Sequence, residues 1–458
     1  QLLTVRLEIH SKLRMEEFKD LWDSVLGFVV KGDQMSGRPG FELRGALLMQ
    51  AKKFLETLHS RQLKTLGQVM NSEEWKQCDV PFEIQALTQR LVRGKLSGPR
   101  LFSTSSDTKG KRMAGRELVF AGRSYRVVNS LLMLVSFLER YLSCATQFSA
   151  LSSSVLSKIT EMFRFYNERT NSLVLQAEAC KTAGLKRINT KNLVLASQSL
   201  SVVMSLMDIV KKILNPCLPE KYQPHLNVEI ERLMVEYETH KKRIADKFAD
   251  MIQNLIDYCC KTGMANVQWD ARNADGLGKP QMYMTKMTHG VISMYNVLHK
   301  HLPNDELQMV FVPIFQLFNT KVPQAFADIE PTTPTGKSRV RVDINHLLSS
   351  LRRLRGLSGP GDVLENFLAE KFGSPSSAQP ASKESVEKKI ARSEETQEFS
   401  AQVPEQEVVS AHPVAPEKKE IKASIDTASN NGSQNGTGDS NKNLENQNDA
   451  PQHDQEET

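Results

Sequence analysis

Ten histidines, six cysteines and one Thr/Ser/Gly/Lys run are the groups of this chain whose types and spacing could do chemistry. Thr333-Pro-Thr-Gly-Lys-Ser has the end of a phosphate-cradling loop, in which backbone N–H groups and a lysine hold phosphate oxygens. The full pattern needs a glycine at 331, where Pro331 stands, and a buried strand before it; the preceding stretch, 305–329, reads as helix. The spacing therefore predicts a basic loop capping the next helix. Gly276 to Gly278 is a second glycine loop with no strand before it. His299 and His301 are two apart, so a helix points them in different directions and away from a shared metal. His240 falls beside an apolar helical stripe, which predicts a hydrogen-bonded core histidine. No Cys or His pair has zinc-site spacing, Cys259-Cys260 being merely adjacent, and no serine occupies a strand-to-helix elbow. These residues predict no catalytic group, no metal and no cofactor.

The elements that must position them are almost all helical. From Leu226 to Cys260 the residues Leu226, Ile230, Leu233, Tyr237, Ile244, Phe248, Met251, Leu255 and Tyr258 recur by three, four or seven, one face of a long amphipathic helix. That helix is predicted over 219–261, and others over 13–30, 42–70, 81–92, 130–144, 152–178, 190–214, 281–301, 305–329 and 340–355, with a glycine loop over 32–40. Glu117-Leu-Val-Phe and Ser124-Tyr-Arg-Val flank Ala-Gly-Arg, which predicts one small β-hairpin. No alternation of strands and helices and no fixed internal repeat is present. The fold class expected is all-α: elongated stacked helical bundles with one hairpin and a disordered C-terminal tail.

Composition divides the chain. From Gly373 to Thr458 there are eight basic and sixteen acidic residues, a net −8, so the overall +6 averages this tail with a body of +14. The tail is rich in Ser, Asn, Gln and Glu, with Phe399 its one aromatic residue, a composition that cannot bury a core. The organisation expected is a helical segment over 1–93, a basic Ser/Thr/Gly linker over 94–116, a helical-bundle region over 117–372 and a disordered acidic tail over 373–458. The apolar run Leu131 to Phe137 is far shorter than the roughly 20 residues a bilayer needs, and Arg6, Glu8, Lys12 and Arg14 interrupt any leader-like stretch. Scattered cysteines fit a reducing, cytosolic compartment.

Two basic clusters stand out. Lys109, Lys111, Arg112 and Arg116 lie in the linker; Arg339, Arg341, Arg352, Arg353 and Arg355 surround the last strong helix. The second cluster is a candidate contact for a partner or an anionic lipid surface. Aromatic residues are not interleaved with either, which argues against base stacking and against a nucleic-acid partner.

One segment reads as a helix, a glycine stop and a new helix: Asn167-Glu-Arg-Thr-Asn-Ser-Leu-Val-Leu-Gln-Ala, then Cys180-Lys-Thr-Ala-Gly-Leu-Lys, then Ile188-Asn-Thr-Lys-Asn-Leu. Gly184 is expected to supply a left-handed turn and Asn189 or Thr190 the cap, with Leu185 and Ile188 pinning the connection. With Gly184, Leu185, Lys186, Lys191, Asn192 and Leu193, this turn resembles the signature stretch of the vacuolar protein sorting fifty-four family. Members are subunits of the Golgi-associated retrograde protein (GARP) tethering complex. Trp75-Lys-Gln-Cys-Asp-Val-Pro, Phe120 to Leu134, Met284-Thr-Lys-Met-Thr-His and Leu302-Pro are similar to other stretches of that family, in the same order, so that the resemblance spans about residues 10–355. Leu175-Gln-Ala-Glu-Ala departs from the family's glycines, and the Asn-rich end has no counterpart. The resemblance implies the stacked-helix fold of multisubunit tethers and a non-enzymatic role. That role is retrograde transport from endosomes to the trans-Golgi network, this half helping to recognise the endosomal carrier. The implied partners are sister tethering subunits, SNAREs and small GTPases, and the implied location is cytosolic, peripheral to trans-Golgi and endosomal membranes. A sister tether of endosomal recycling, or a basic helical nucleic-acid module, is the alternative.

Overall fold

The computed structural model describes residues 2–94, 96, 113–271 and 278–373. Two short turns of helix, α1 (Leu2–Val5) and α2 (Leu7–His10), precede α3 (Met15–Ser36), α4 (Phe41–Asn71) and α5 (Phe82–Val92). Then come α6 (Asn129–Gln147), α7 (Ser152–Thr170), the single turn α8 (Ala179–Thr182), α9 (Thr190–Leu214) and α10 (Gln223–Tyr258). The series ends with α11 (Met282–Leu298), α12 (Asn304–Ala327), α13 (Pro334–Arg352) and α14 (Val363–Phe372). The all-α class holds. The predicted hairpin is present as β3 (Leu118–Phe120) and β4 (Arg123–Tyr125), turned by Ala121 and Gly122 at φ 49° and 78°. A second antiparallel pair, β1 (Val80–Pro81) with β2 (Met113–Gly115), was not expected from the sequence.

α9 is the helix the others surround. Its buried residues run from Asn192 to Leu214 on every side, against α6, α7, α10 and α11. Among the described residues it is the one helix, taken as Thr190–Cys217, long and apolar enough to cross a membrane by length and composition; 78% of that apolar stretch is buried inside the protein. Burial by neighbouring helices accounts for its all-round apolarity.

α10, about 54 Å long at 1.5 Å per residue, packs on α9 and α12. Its buried stripe follows the sequence reading through Phe248 and then continues at Ile252 and Ile256, while Tyr258 is 54% exposed. Stepping by sevens keeps a stripe that a straight 3.6-residue helix leaves behind, by about 20° per heptad. α7 also stops short of its expected end: the chain leaves it at Thr170 through a π-turn, Asn171–Leu175, and a left-handed Ala177 at φ 57°.

α4 packs on both α6 and α7, α5 on α6, and Phe18 of α3 stacks on Phe54 at 4.2 Å. Residues 1–93 and 117–372 thus share one core and fall within one compact unit, Gln1–Gln379. Most of the 94–116 linker, including Lys109, Lys111 and Arg112, lies outside the described residues, as do Gly276 and the tail beyond Gly373.

Candidate functional site: a cationic groove at the 184–192 turn

Gly184 takes φ 68° after the short helix α8, the left-handed conformation that only glycine adopts without strain. Asn189 then caps α9: its Oδ1 accepts from the backbone N–H of Lys191 at 2.9 Å and Asn192 at 3.2 Å. Asn192 completes the cap by accepting from the Asn189 N–H at 3.0 Å, so both residues satisfy donors that a helix start leaves open. Leu193 is buried, and Leu185 and Ile188 lie half-buried against the core.

The free end of Asn192 ties this turn to a distant segment. Its Nδ2 donates to the carbonyl of Trp75 at 3.0 Å. Trp75 is 1% exposed, sits at φ 51°, and its indole Nε1 is buried without a partner. A large residue in that conformation costs on the order of 1–3 kcal/mol and persists only where its surroundings hold it. Here the surroundings are the Asn192 amide on one side and, through Glu73, the start of α6 on the other. Glu73 Oε2 accepts from Ser130 N–H at 2.8 Å, and burial raises its carboxyl above the ordinary range.

A third segment closes the arrangement. Gln198 of α9 accepts from Arg126 N–H at 2.7 Å and donates to the His301 carbonyl. Arg126 Nη1 lies 3.1 Å from His301 Nε2. Burial, and then Arg126 with Lys191 and Lys300, pull the His301 imidazole below its ordinary range. Stretches that are far apart in sequence thus frame one groove of about 960 Å3. Its floor is apolar, from Leu185, Val194, Leu195 and Val297, and its rim is cationic. Lys76 pairs with Glu74 at 2.6 Å and Arg126 with Glu117 at 3.3 Å. Lys186, Arg187, Lys191 and Lys300 are exposed rim residues with no carboxylate partner among the described residues.

The arginines around α13 are arranged differently. Arg339 is 9% exposed and donates to the carbonyls of Gln268 and Trp269 at 2.9 and 2.8 Å. Arg341 donates to the carbonyls of Phe372 and Gly373, and Arg352 reaches Glu365 at 2.6 Å and Asp362 at 3.4 Å. These three fasten α14 and the 268–269 loop, and of the five arginines Arg353 and Arg355 are the exposed cations with no carboxylate partner among the described residues. The expected basic face is therefore two residues wide.

The remaining motifs have structural roles. The Thr333 hydroxyl caps α13 at Gly336 N–H, 3.0 Å away. Asp270 accepts from the backbone and hydroxyl of both Thr332 and Thr333 at 2.6–3.0 Å. A carboxylate already fills the place where a phosphate would sit, and the Thr333 hydroxyl chiefly holds it well below the usual range. His240 is buried with Nδ1 2.7 Å from Asn167 Oδ1, and burial lowers its pKa to about 4. Among the described residues no group of three His, Cys, Asp or Glu side chains is placed to hold a metal.

These features define an all-α protein whose helices converge on a recessed cationic groove. Residues 122–255 match the family model described as Vps54-like protein. The chain is 24% identical over 451 residues to vacuolar protein sorting-associated protein 54, chloroplastic, of Arabidopsis thaliana, covering 81% of this chain and 43% of that one. It is 26% identical over 348 residues to vacuolar protein sorting-associated protein 54 of Mus musculus, covering 76% of this chain and 34% of the relative. The Drosophila melanogaster protein of that name is 24% identical over 333 residues, 72% of this chain and 33% of its own. No solved structure matches the chain. The chain is thus similar to the Vps54-like family over residues 122–255 and to these relatives over most of its own length, and it spans about a third to two-fifths of theirs.

Proposed function

We propose that this chain is a non-enzymatic part of a vesicle-tethering subunit in retrograde transport from endosomes to the trans-Golgi network, and that it helps to recognise the endosomal carrier. The observation that carries this reading is the family match over 122–255, the stretch that contains α6 to α9 and most of α10. Physically, a tether holds two surfaces together through protein contacts and turns over no substrate. Packed helices with a preformed recess suit that work, because a rigid site loses little entropy on binding. In this reading sister tethering subunits, SNAREs and small GTPases are the partners, and membrane association is peripheral.

The test is the location of the fluorescently tagged 458-residue chain in living cells, against trans-Golgi, endosomal and nuclear markers. Punctate overlap with endosomes or the trans-Golgi is the expected result. Nuclear accumulation would overturn the reading and bring forward nucleic-acid binding, with its steep salt dependence.

A further inference from the structure

Four cations without carboxylate partners among the described residues, Lys186, Arg187, Lys191 and Lys300, come from the 184–192 turn, the first turn of α9 and the segment just after α11 to surround one recess. Elsewhere on the protein many long basic side chains find acids: Lys241 with Glu306 at 2.7 Å, Arg164 with Glu229 at 3.0 Å, Lys321 with Asp257 at 3.3 Å. Around this groove the nearby carboxylates Glu74 and Glu117 are engaged by Lys76 and Arg126. The four rim charges therefore face one another and solvent, an arrangement that favours a ligand bringing negative charge. The depressed His301 imidazole inside the same recess is consistent with that positive field.

The floor adds a second requirement. Val194 and Leu195 are 1% and 7% exposed, and Leu185 and Val297 are half-buried beside them. An apolar side chain would reach them only by entering the groove. A bilayer presents its phosphates in a plane and would meet the rim without filling the floor. Nucleic acid would need exposed rings for stacking; among the described residues the lining has no Phe or Tyr, its Trp75 is buried, and His301 is tied to Arg126. A volume of about 960 Å3 lies at the upper end of the roughly 300–1,000 Å3 typical of ligand pockets, enough for several linked residues.

We propose that this groove captures an acidic, extended peptide segment of a partner protein, its carboxylates on Lys186, Arg187, Lys191 and Lys300 and an apolar side chain on the Val194–Leu195 floor. This inference deepens the reading of the chain as a part that works by protein contacts. It is tested with purified components, so its failure is distinguishable from failure of the localisation test.

The experiment titrates the intact 458-residue chain into a fluorescein-labelled peptide of alternating Glu and Leu and follows fluorescence anisotropy. The same peptide with Gln for Glu, and phosphatidylcholine vesicles containing a phosphatidylinositol phosphate, are measured in parallel. Saturable binding of the Glu peptide is expected, weaker at higher salt. It should fall about tenfold or more in the combined variant Lys186→Gln, Arg187→Gln, Lys300→Gln and persist in the control variant Lys212→Gln, Lys242→Gln, Arg243→Gln. Unchanged far-UV circular dichroism verifies the fold of both. No saturable binding, equal loss in the two variants, or rim-dependent capture of vesicles but not of peptide would each overturn the proposal.

Discussion

Asp343 gives the sharpest test of how the C-terminal helices are held. It lies in the middle of α13 with no solvent exposure, and its oxygens accept from Gln281 N–H and the Tyr283 hydroxyl, both at 2.7 Å. These two bonds favour the carboxylate, yet burial outweighs them and raises the pKa to about 6. An unfolded aspartate titrates near about 3.9. The native state therefore binds this proton more tightly than the unfolded chain does. The resulting stabilisation is fully present below about pH 4 and is lost as pH rises through about 6. Two units at about 1.4 kcal/mol each amount to roughly 3 kcal/mol. Asp343→Asn removes that dependence, since its amide oxygen can still accept from Gln281 while its nitrogen donates to the Tyr283 oxygen. Any offset from the altered bond, about 1 kcal/mol, is the same at every pH. Urea unfolding followed by circular dichroism, with linear extrapolation at each pH, should show the variant gaining about 3 kcal/mol on the wild type between pH 3 and pH 7. Parallel pH profiles for the two proteins would refute the reasoning.

Other perturbations test the remaining contacts. Asn192→Ala removes half of the α9 cap and leaves the buried Trp75 carbonyl unpaired; a loss of about 2–4 kcal/mol by urea unfolding, with altered tryptophan fluorescence, is expected, and a loss under about 1 kcal/mol would remove the tie from the account. Gly263→Ala places a methyl carbon 2.3 Å from Tyr283 Cβ, which cannot swing away, so destabilisation of about 1–3 kcal/mol or more should appear in the denaturation midpoint. Arg352→Glu turns two ion pairs into repulsions; amide exchange over Val363–Phe372 should accelerate while α9 stays protected, and unchanged exchange in α14 would show that these pairs do not fasten it.

The sequence revealed helices wherever local signals and burial agreed. α9 was legible at both ends because Asn189 caps it and its apolar residues crowd every face. The start of α13 was not, because Thr333-Pro-Thr-Gly-Lys-Ser looks like a loop until Asp270, 63 residues away, is seen to anchor it. The arginines of α13 misled for a related reason: charge is visible in sequence, but the carbonyls that Arg339 and Arg341 serve belong to other segments. α14, short and preceded by glycines, gave too weak a period to read. The groove was half legible. Resemblance singled out the 184–193 turn and the Trp75 segment separately, and only the fold shows Asn192 joining them. Lys300, predicted merely as part of a helix, becomes a rim residue because α11 ends beside that turn.

The central claim, that this chain recognises endosome-derived carriers, is tested most directly by relocating it. The 458-residue chain would be fused to a mitochondrial outer-membrane anchor, and the position of an endosome-to-Golgi cargo receptor followed in living cells. Vesicles bearing that receptor should gather around mitochondria, while carriers from the endoplasmic reticulum keep their usual distribution. An unchanged receptor distribution, or equal capture of both carrier classes, would contradict the account.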